Sequence, residues 1–375
     1  MRILHVTTFL QGGAGRIITD LALEQHRSGH EVRVVADAGG EPGYASYPEY
    51  CRTVSDAGIP LSLVASTFRR NPDLNRAAAR ELSRLTVSWP PDVAHVHAAT
   101  PSVVVRMAGV HRLAPGAQLV HTMHGWGIAK TQEQAAADLL ALEQADVVTA
   151  PSRAAACGLY ELGLKRRDVA IIPYGLPCAA EDGSPDEDDV RRIESTSVGP
   201  IAMCIGTIGD RKNQRLLIDA IATETLRDTT AVFIGDGDPS AVLARALTMG
   251  VAGRTVLLGH RADANRYLTL ASVLVLPSRN EGLPIAILEA LRAGVPVAAA
   301  RVPEIAEALG REGEALLFTP DDPADAARTI RRAIETAGTA DAARLHDRFR
   351  THYTRERMVA AYAALYERSG VVALS

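Results

Sequence analysis

The stretch SRNEGLPIAILEALRAGVPV, residues 278–297, carries two carboxylates around the start of an apolar segment. Pro284 suits the first turn of a helix and Gly294 suits its end, so the sequence predicts a helix over about residues 284–293. Glu281 then precedes the helix, and Glu289 lies more than one turn inside it. Eight helical positions rise about 12 Å, so the two carboxylates can contact separate parts of one elongated ligand.

The backbone at the start of this helix predicts a phosphate site. The amides of Gly282, Leu283 and Ile285 lack a helical partner and lie at the positive end of the helix dipole. Carboxylates accept hydrogen bonds from hydroxyls, so Glu289 can bind a ribose and Glu281 a transferred sugar. In the alternative interpretation, Glu281 caps the helix and Glu289 lies on a solvated face. Against it, the helix is apolar on nearly every side, where a carboxylate should have a partner.

Length and composition indicate two α/β domains. The chain has 375 residues, 47% apolar and 22% charged, with 30 Gly and 20 Pro, which is too long for one ordinary core. A formal charge of −4 gives no overall attraction to nucleic acid or to an anionic membrane, so no nucleic-acid partner is expected. The composition leaves the oligomeric state open.

The cysteines and the N-terminus favour the cytoplasm. The four cysteines have no metal-ligand spacing and are interpreted as packing residues in a reducing compartment. MRILHVTTFL is too interrupted for a secretory signal, and no run of 18 apolar residues occurs. We expect a cytoplasmic protein, with peripheral contact at the inner face of a membrane left possible.

Short apolar runs alternate with helical segments along the chain, which predicts parallel sheets covered by helices. The runs are residues 2–8, 31–37, 93–98, 119–124, 146–151 and 169–175, then 200–207, 230–237, 255–260, 272–278, 295–300 and 315–320. The fold class predicted is α/β, with two Rossmann-like domains whose parallel sheets face each other across a cleft. Ligands in such sheets bind beyond the carboxyl ends of the strands, so we expect an interdomain site.

An acidic stretch, residues 178–189, combines six acids with Gly and Pro and is interpreted as the linker. The alternative is a long surface loop within one domain. The predicted domains are residues 1–177 and residues 190–353. A last amphipathic helix, residues 354–370, caps the second domain or packs back onto the first, and its periodicity does not decide between the two.

Two cations follow a buried strand in CIGTIGDRKNQRLLIDAI, residues 204–221. Arg211 and Lys212 stand in the turn, where they can neutralise a diphosphate leaving group as charge develops. The alternative is a solvated basic turn. Their place beyond the carboxyl end of a strand favours the binding role.

A glycine-rich segment, FLQGGAGRII at residues 9–18, joins the first strand to the first helix. Gly12, Gly13 and Gly15 let a phosphate or acceptor approach the backbone. A dinucleotide fingerprint fits weakly, because Ile18 stands where the last glycine belongs, and only Asp37 offers a ribose-binding acid after the second strand.

HTMHGWG, residues 121–127, offers His124 near the carboxyl end of a strand, where it can contact a sugar hydroxyl or orient the reacting centre. His121, His95 and His97 are expected to pack inside. No compact set of carboxylates accompanies these histidines, so no metal site is predicted.

These motifs resemble the retaining, nucleotide-sugar-dependent glycosyltransferases of family 4, which have the GT-B architecture. The resemblance covers almost the whole chain. It is carried by GGAGRIITDLA, PDVAHVH, IGTIGDRKNQRLLIDA and, most specifically, the E-x7-E helix of SRNEGLPIAILEALRAGVPV.

The resemblance implies roles for the two domains and for individual residues. Residues 1–177 would bind the acceptor, residues 190–353 would bind the nucleotide sugar, and the last helix would pack back onto the first domain. Lys212, assisted by Arg211, would stabilise the leaving diphosphate, His124 would lie beside the reaction centre, and Glu281 would contact the transferred sugar. The implied catalytic residues are Lys212, Arg211, His124 and Glu281, and the implied donor-binding residues are Gly12, Gly13, Gly206, Thr207, Gly282, Leu283, Pro284, Ile285 and Glu289.

Two departures from the family pattern affect the phosphate contacts. Thr207 stands where the family often has arginine, so one contact is missing or passes to Arg211. RVPEIAE, residues 301–307, lacks the family's usual glycine pair, which makes Arg301 a candidate replacement.

The resulting hypothesis is metal-independent transfer from a nucleoside diphosphate sugar, most simply a UDP-sugar, to a hydroxyl acceptor with retention. The donor is a co-substrate, and no cofactor is expected. The alternatives are a nucleotide-sugar epimerase of the same fold and a non-catalytic nucleotide-binding protein. The acceptor, a sugar, a lipid-linked sugar or a small molecule, would be bound by loops 37–51 and 66–75, with Arg69 and Arg70 either meeting an anionic acceptor or simply solvated.

Overall fold

The chain folds into two α/β units, each with its own parallel sheet. A computed structural model describes residues 1–39, 44–127, 130–179, 183–336 and 340–370. The first unit comprises Met1–Tyr174 and the chain from Arg355 onward, and the second comprises Gly175–Thr354.

Seven parallel strands form the sheet of the first unit. They are β1 Arg2–Val6, β2 Glu31–Asp37, β3 Leu61–Val64, β4 Val93–Val96, β5 Gln118–Thr122, β6 Val147–Ala150 and β7 Ala170–Ile171. Their order is β3-β2-β1-β4-β5-β6-β7. The order reverses at β1 and β4, and the register places His5 opposite His95 across that pair.

The helices of the first unit begin at local sequence signals. They are α1 Gly12–Arg27, α2 Pro48–Asp56, α3 Pro72–Ser88, α4 Ala99–Met107, α5 Val110–Leu113, α6 Gln132–Glu143 and α7 Arg153–Glu161. The side chain of Asn71 caps α3 by accepting from the backbone amides of Asp73 and Leu74. Thr131 and Gln134 form a reciprocal capping box at α6.

Six parallel strands form the sheet of the second unit. They are β8 Ile201–Ile205, β9 Thr230–Ile234, β10 Thr255–Gly259, β11 Val273–Leu276, β12 Val297–Ala300 and β13 Leu317–Phe318, in the order β10-β9-β8-β11-β12-β13. Its helices are α8 Glu187–Thr196, α9 Arg215–Ile221, α10 Ser240–Thr248, α11 Ile285–Ala293, α12 Pro303–Leu309, α13 Pro323–Glu335 and α14 Ala340–His352. Two parallel-sheet α/β units confirm the predicted fold class.

The last helix, α15 Arg355–Gly370, belongs to the first unit. Its Met358, Tyr362 and Tyr366 are buried. The Tyr362 hydroxyl lies 3.1 Å from Thr122 Oγ1 and 3.4 Å from Thr149 Oγ1, so the helix is bound to the sheet by polar as well as apolar contacts.

The acidic stretch 178–189 is only partly a connecting segment. Residues 180–182 lie outside the described part of the chain, and α8 begins at Glu187. Asp189 is buried and receives hydrogen bonds from Arg261 and, at 2.5 Å, from the Tyr267 hydroxyl. Its carboxylate therefore anchors α8 to the second unit.

Three expectations about local structure were incomplete or wrong. Strand β3 was missed, because its four residues are mostly half-exposed and carry little apolar pattern. The helix α1 begins at Gly12, so the glycines lie in its first turn instead of in the joining segment. All four cysteines are free, but Cys157 and Cys178 are exposed, so they are not packing residues.

Within the described residues, no helix is long and apolar enough to cross a membrane.

A close backbone approach in the second unit gives a test of its sheet. A Cβ at Gly235 would lie 2.0 Å from the carbonyl oxygen of Gly206. Gly235→Ala should therefore displace the loop after β8 and lower the free energy of unfolding by about 1–3 kcal/mol. Urea unfolding followed by circular dichroism measures the change. Gly253→Ala, where nothing lies within 4 Å of the added Cβ, should leave stability unchanged, and equal stability of both variants would contradict the geometry.

Candidate active site

The candidate site of the second unit lies where the strand order of its sheet reverses. Strands β8 and β11 are neighbours, and the helices that follow them lead away in opposite directions along the order of the sheet. Open parallel sheets bind ligands at this point, beyond the carboxyl ends of the strands. The loop after β8 carries Arg211 and Lys212, and the loop after β11 carries Glu281.

The loop after β8 is held in one conformation by its own polar groups. Gly206 has φ of 145° and Asn213 has φ of 53°. Residues other than glycine seldom adopt positive φ values of this kind. The buried side chain of Gln214 accepts from the amide of Gly209 and donates to the carbonyl of Thr207, at 3.2 and 3.0 Å. The loop therefore presents Lys212 from a fixed backbone.

A second set of contacts joins this loop to the loop after β11. The amide of Arg279 donates to the carbonyl of Arg211 at 2.9 Å. The Arg279 guanidinium pairs with Asp321 at 2.6 Å, and Asp321 also accepts from Asn213 at 3.0 Å. The sequence analysis did not single out any of these three residues, although Arg279 lies inside the stretch of residues 278–297. These residues support the site without belonging to its charged centre.

Lys212 and Glu281 form a direct ion pair at the centre of the site. Lys212 Nζ donates to Glu281 Oε1 at 2.6 Å, and Arg211 lies 3.5 Å from Glu281 Oε2. The side chains of Glu281 and Lys212 are 6% and 15% exposed, whereas that of Arg211 is 44% exposed. The sequence brought these residues to one sheet edge, but it did not predict that the carboxylate contacts the ammonium.

The electrostatics of Glu281 are a balance between burial and its cationic neighbours. Burial by itself raises the pKa of the carboxyl, but Lys212 and then Arg211 outweigh it, so the net pKa is lowered. Glu304, on α12, has a raised pKa because it is partly buried and lies near Glu281 and Glu307. Glu304 was missed, although RVPEIAE was recognised as a departure from the family pattern.

The helix α11 begins as predicted, with Pro284 immediately before Ile285 and Gly294 in the left-handed conformation after its end. No side chain caps its start, so Glu281 is not a helix cap. Glu289 is only 8% exposed, which excludes a solvated face residue. Gly282, Leu283 and Pro284 are also buried at the helix start.

Two other sequence candidates have structural partners in these units. Arg301 pairs with Glu314. Asp37 is buried and accepts from Ser66 Oγ and from the amides of Thr67 and Phe68 at 2.7–2.9 Å, so it fastens the ends of β2 and β3.

In the first unit, Gly12 and Gly13 form the start of α1, and a Cβ at Gly12 would meet no atom within 4 Å. Gly15 packs tightly, because a Cβ there would lie 2.5 Å from the carbonyl carbon of Leu10. Arg70 pairs with the buried Asp138 at 2.5 Å, so it is not simply solvated.

His124 follows β5 and is engaged through both ring nitrogens. Nε2 lies 3.0 Å from His97 Nδ1, and Nδ1 lies 2.6 Å from the Tyr174 hydroxyl. His95, His97 and His121 are buried, which confirms the expectation that they pack inside. Among the described residues, His5, His95 and His97 form a group whose ring nitrogens are close enough to hold a metal ion. Hydrogen bonds within the first unit already engage these three rings.

Comparison with known proteins identifies the fold and the family. A family model described as Glycosyltransferase Family 4 matches residues 11–179, and one described as Glycosyl transferases group 1 matches residues 199–336. The chain is 27% identical over 302 residues to 2-deoxystreptamine glucosyltransferase of Streptomyces kanamyceticus, across 74% of this chain and 78% of that relative. It is 27% identical over 376 residues to D-inositol 3-phosphate glycosyltransferase of Acidothermus cellulolyticus, across 85% and 83% of the two chains.

The solved structure of Anabaena Alr3699/HepE, in complex with UDP and glucose, matches with a TM-score of 0.83 at 19% identity, over 98% of this chain and 100% of that chain. The two sheets and their connections are therefore those of the GT-B fold. The chain belongs to the group 1, family 4 glycosyltransferases, which transfer a sugar from a nucleotide sugar.

The buried histidines predict a dependence of stability on acid. Burial lowers the pKa of His5 and of His121 to about 4, against an ordinary value of 6.5. The unfolded chain therefore binds more protons below pH 6.5, and stability should fall as the pH drops from 6.5 towards 4. Each such ring contributes about 1.4 kcal/mol per pH unit in that range.

Both tryptophans, Trp89 and Trp126, lie in the first unit, so their fluorescence during urea unfolding at pH 7.5, 6.5 and 5.5 measures this effect. His121→Leu should reduce the slope of unfolding free energy against pH by the contribution of one ring, about 1.4 kcal/mol per pH unit. The exposed His111→Gln should leave it unchanged, and equal stability of the native chain at all three pH values would refute the prediction.

Proposed function

We propose that this glycosyltransferase moves a sugar from a uridine diphosphate sugar to a hydroxyl acceptor, with retention at the anomeric carbon and without a metal ion. The observation that carries the proposal is the buried pair of Lys212 and Glu281 at the reversal point of the second sheet. Alr3699/HepE has been solved in complex with UDP and with UDP-glucose, which supports uridine in the donor of this chain.

Lys212 is the residue best placed to stabilise the leaving diphosphate. An ammonium has three N–H donors, and Glu281 accepts one of them, which fixes the direction of the others. Arg211, which is more exposed, adds a second cation beside it. As the glycosidic bond breaks, negative charge grows on the diphosphate, and preorganised cations stabilise this charge more than the ground state.

The start of α11 supplies the other donor contacts. The amides that follow Glu281 lie at the positive end of the helix dipole, and Gly282, with no side chain, allows a phosphate to approach. Glu289, one to two turns along the same helix, would accept from the ribose hydroxyls. Glu281 would accept from a hydroxyl of the transferred sugar while it holds Lys212.

Departure of the diphosphate leaves an oxocarbenium-like sugar, which the acceptor hydroxyl attacks on the face that the diphosphate has just left. A phosphate oxygen of the leaving group takes the acceptor proton, so the step needs no separate protein base. Gly12, Gly13 and His124 keep their predicted roles towards the diphosphate and the reaction centre. The names of the two relatives indicate cyclitol acceptors, so 2-deoxystreptamine and inositol 3-phosphate are the first to test.

Kinetics of two variants separate charge stabilisation from donor binding. Lys212→Ala should lower kcat by about 10²–10³-fold, because it removes an electrostatic donor used mainly in the transition state. Glu289→Ala should mainly raise the KM for the donor, because ribose contacts are equal in ground and transition states. The measurement is UDP release in the presence of acceptor, and near-native kinetics in both variants would defeat the assignment.

The loss of Lys212 also leaves Glu281 buried beside a single partly exposed arginine, which can reduce folding stability. The double variant Lys212→Met with Glu281→Gln removes both charges together and should remain folded while losing turnover. The exposed Lys165→Ala serves as the matched control and should keep native kcat.

A donor screen tests the nucleotide and the metal requirement. UDP-sugars should raise the Tm of the protein more than GDP- or ADP-sugars do, because ligand binding to the folded state stabilises it. EDTA should leave both the Tm shift and the turnover unchanged. Sugar interconversion without an acceptor would support an epimerase instead, and a loss of turnover with EDTA would overturn the metal-independent mechanism.

A further inference from the structure

A continuous chain of hydrogen bonds runs through the interior of the first unit. It begins at the hydroxyl of Tyr174, 2.6 Å from His124 Nδ1. The next links join His124 Nε2 to His97 Nδ1 at 3.0 Å and His97 Nε2 to His5 Nδ1 at 2.9 Å. His5 Nε2 then lies 2.7 Å from Gln25 Oε1, on helix α1.

The chain continues beyond Gln25 to the last helix and back to the sheet. Gln25 Nε2 donates to the Tyr366 hydroxyl at 3.3 Å, and that hydroxyl lies 2.7 Å from His95 Nδ1. His95 Nε2 lies 2.6 Å from Thr122 Oγ1. All of these side chains are buried except His124, which is partly exposed.

The four histidines of this hydrogen-bond chain, His5, His95, His97 and His124, are neutral at ordinary pH. Burial lowers the pKa of His5 to about 4 and of His124 to about 3, and it places the pKa values of His95 and His97 well below 6.5. A neutral imidazole donates from one nitrogen and accepts on the other. The tautomer of each ring therefore fixes the tautomer of the next.

Two arrangements of protons are self-consistent along such a chain: either every histidine donates from Nε2 and accepts on Nδ1, or every histidine does the reverse. Three contacts select the first arrangement. The oxygen of the Gln25 amide faces His5, so His5 must donate from Nε2. Tyr174 and Tyr366 each meet a histidine Nδ1, at 2.6 and 2.7 Å. A phenol is a better donor than acceptor, and an unprotonated imidazole nitrogen is a good acceptor, so both phenols donate to Nδ1 in this direction. The Tyr174 hydroxyl also lies 3.4 Å from the carbonyl oxygen of His124, but its 2.6 Å contact with Nδ1 is much the shorter.

We propose that Gln25, His5 and His97 are positioning residues that hold His124 as the Nε2–H tautomer, so that His124 Nδ1 is presented as a hydrogen-bond acceptor. Tyr174 occupies that nitrogen in this structure. In the working enzyme, a hydroxyl of the sugar substrate takes the same position as a donor. His124 is thereby suited to a hydroxyl and unsuited to a phosphate oxygen, which offers no proton. This inference rests on the role of His124 in the proposed function.

The tautomer is measured directly in the full-length protein labelled with ¹⁵N-histidine. Two-bond ¹⁵N–¹H correlations distinguish Nε2–H from Nδ1–H rings, and the signal that disappears in His124→Asn assigns His124. In the native protein, His124 should show the Nε2–H pattern, unchanged from pH 5.5 to 8.5. An Nδ1–H pattern, or titration of His124 near pH 6.5, would overturn the proposal.

Substitutions at Gln25 test whether the far end of the chain controls His124. Gln25→Met keeps the size of the side chain but removes the acceptor for His5, so His124 should become a mixture of tautomers. Gln25→Glu keeps an acceptor oxygen and should retain the native pattern. Gln118→Met, at another buried glutamine of the same unit, is the matched control and should also retain it. An unchanged His124 pattern in Gln25→Met would contradict the proposal.

The catalytic consequence is measured as UDP release from UDP-glucose. Gln25→Met should lower kcat about tenfold with little change in the KM for UDP-glucose, and Gln25→Glu and Gln118→Met should stay within about twofold of native. If Gln25→Met loses the native His124 tautomer but keeps the kcat of Gln118→Met, the tautomer does not matter for turnover and the functional part of the proposal is wrong. Failure of the proposed function would instead appear as no UDP release by the native protein, while the NMR result still decides the tautomer. If Gln25→Met does not fold, the native spectrum and Gln25→Glu still test the proposal.

Discussion

The reversal of strand order between β8 and β11 is the constraint on which the candidate site depends. In a parallel sheet every strand ends at the same edge, and at the reversal point the two following segments diverge and leave the strand ends uncovered. Lys212 and Glu281, 69 positions apart, meet there at 2.6 Å. The cost of burying these charges is reduced because each is the partner of the other, and a phosphate ligand would meet a cation that is already largely buried and fixed in place.

Much of this arrangement follows from local sequence signals. Proline and glycine bound α11, apolar runs mark nearly all the strands, and two cations follow the first strand of the second sheet. These signals predicted the helix, the parallel sheets and the residues at their edge. The buried state of Glu289 also followed from the apolar character of its helix. The direct contact of Lys212 with Glu281 could not be predicted, because it depends on which strands are neighbours, and strand order is set by long-range pairing.

For the histidines, too, the sequence predicted what depends on nearby residues and not what depends on residues far along the chain. Their burial was predictable from apolar strands, but their connection was not, since the links come from β1, α1, β4, β5 and α15. Gln25 and Tyr366 are 341 positions apart in sequence, and neither belongs to a recognisable motif. Asp37 shows the converse. Its position at the end of a strand made it a candidate to bind ribose, but its carboxylate accepts hydrogen bonds from Ser66 and Thr67 and so holds a neighbouring loop in place. Position at a sheet edge is therefore necessary for a binding role and does not by itself establish one.

The return of α15 to the first unit divides the core of that unit between two distant parts of the chain. Residues 175–354 form an uninterrupted unit, whereas the first unit is built from residues 1–174 and from the chain that starts at Arg355. The first unit cannot bury Tyr362 and Tyr366 until the whole segment that forms the second unit has been synthesised. Until then, the polar groups of Gln25, His95 and Thr122 lack these partners in the interior. The first unit is therefore begun before the second, but its core is completed only after the segment that folds into the second unit has been synthesised.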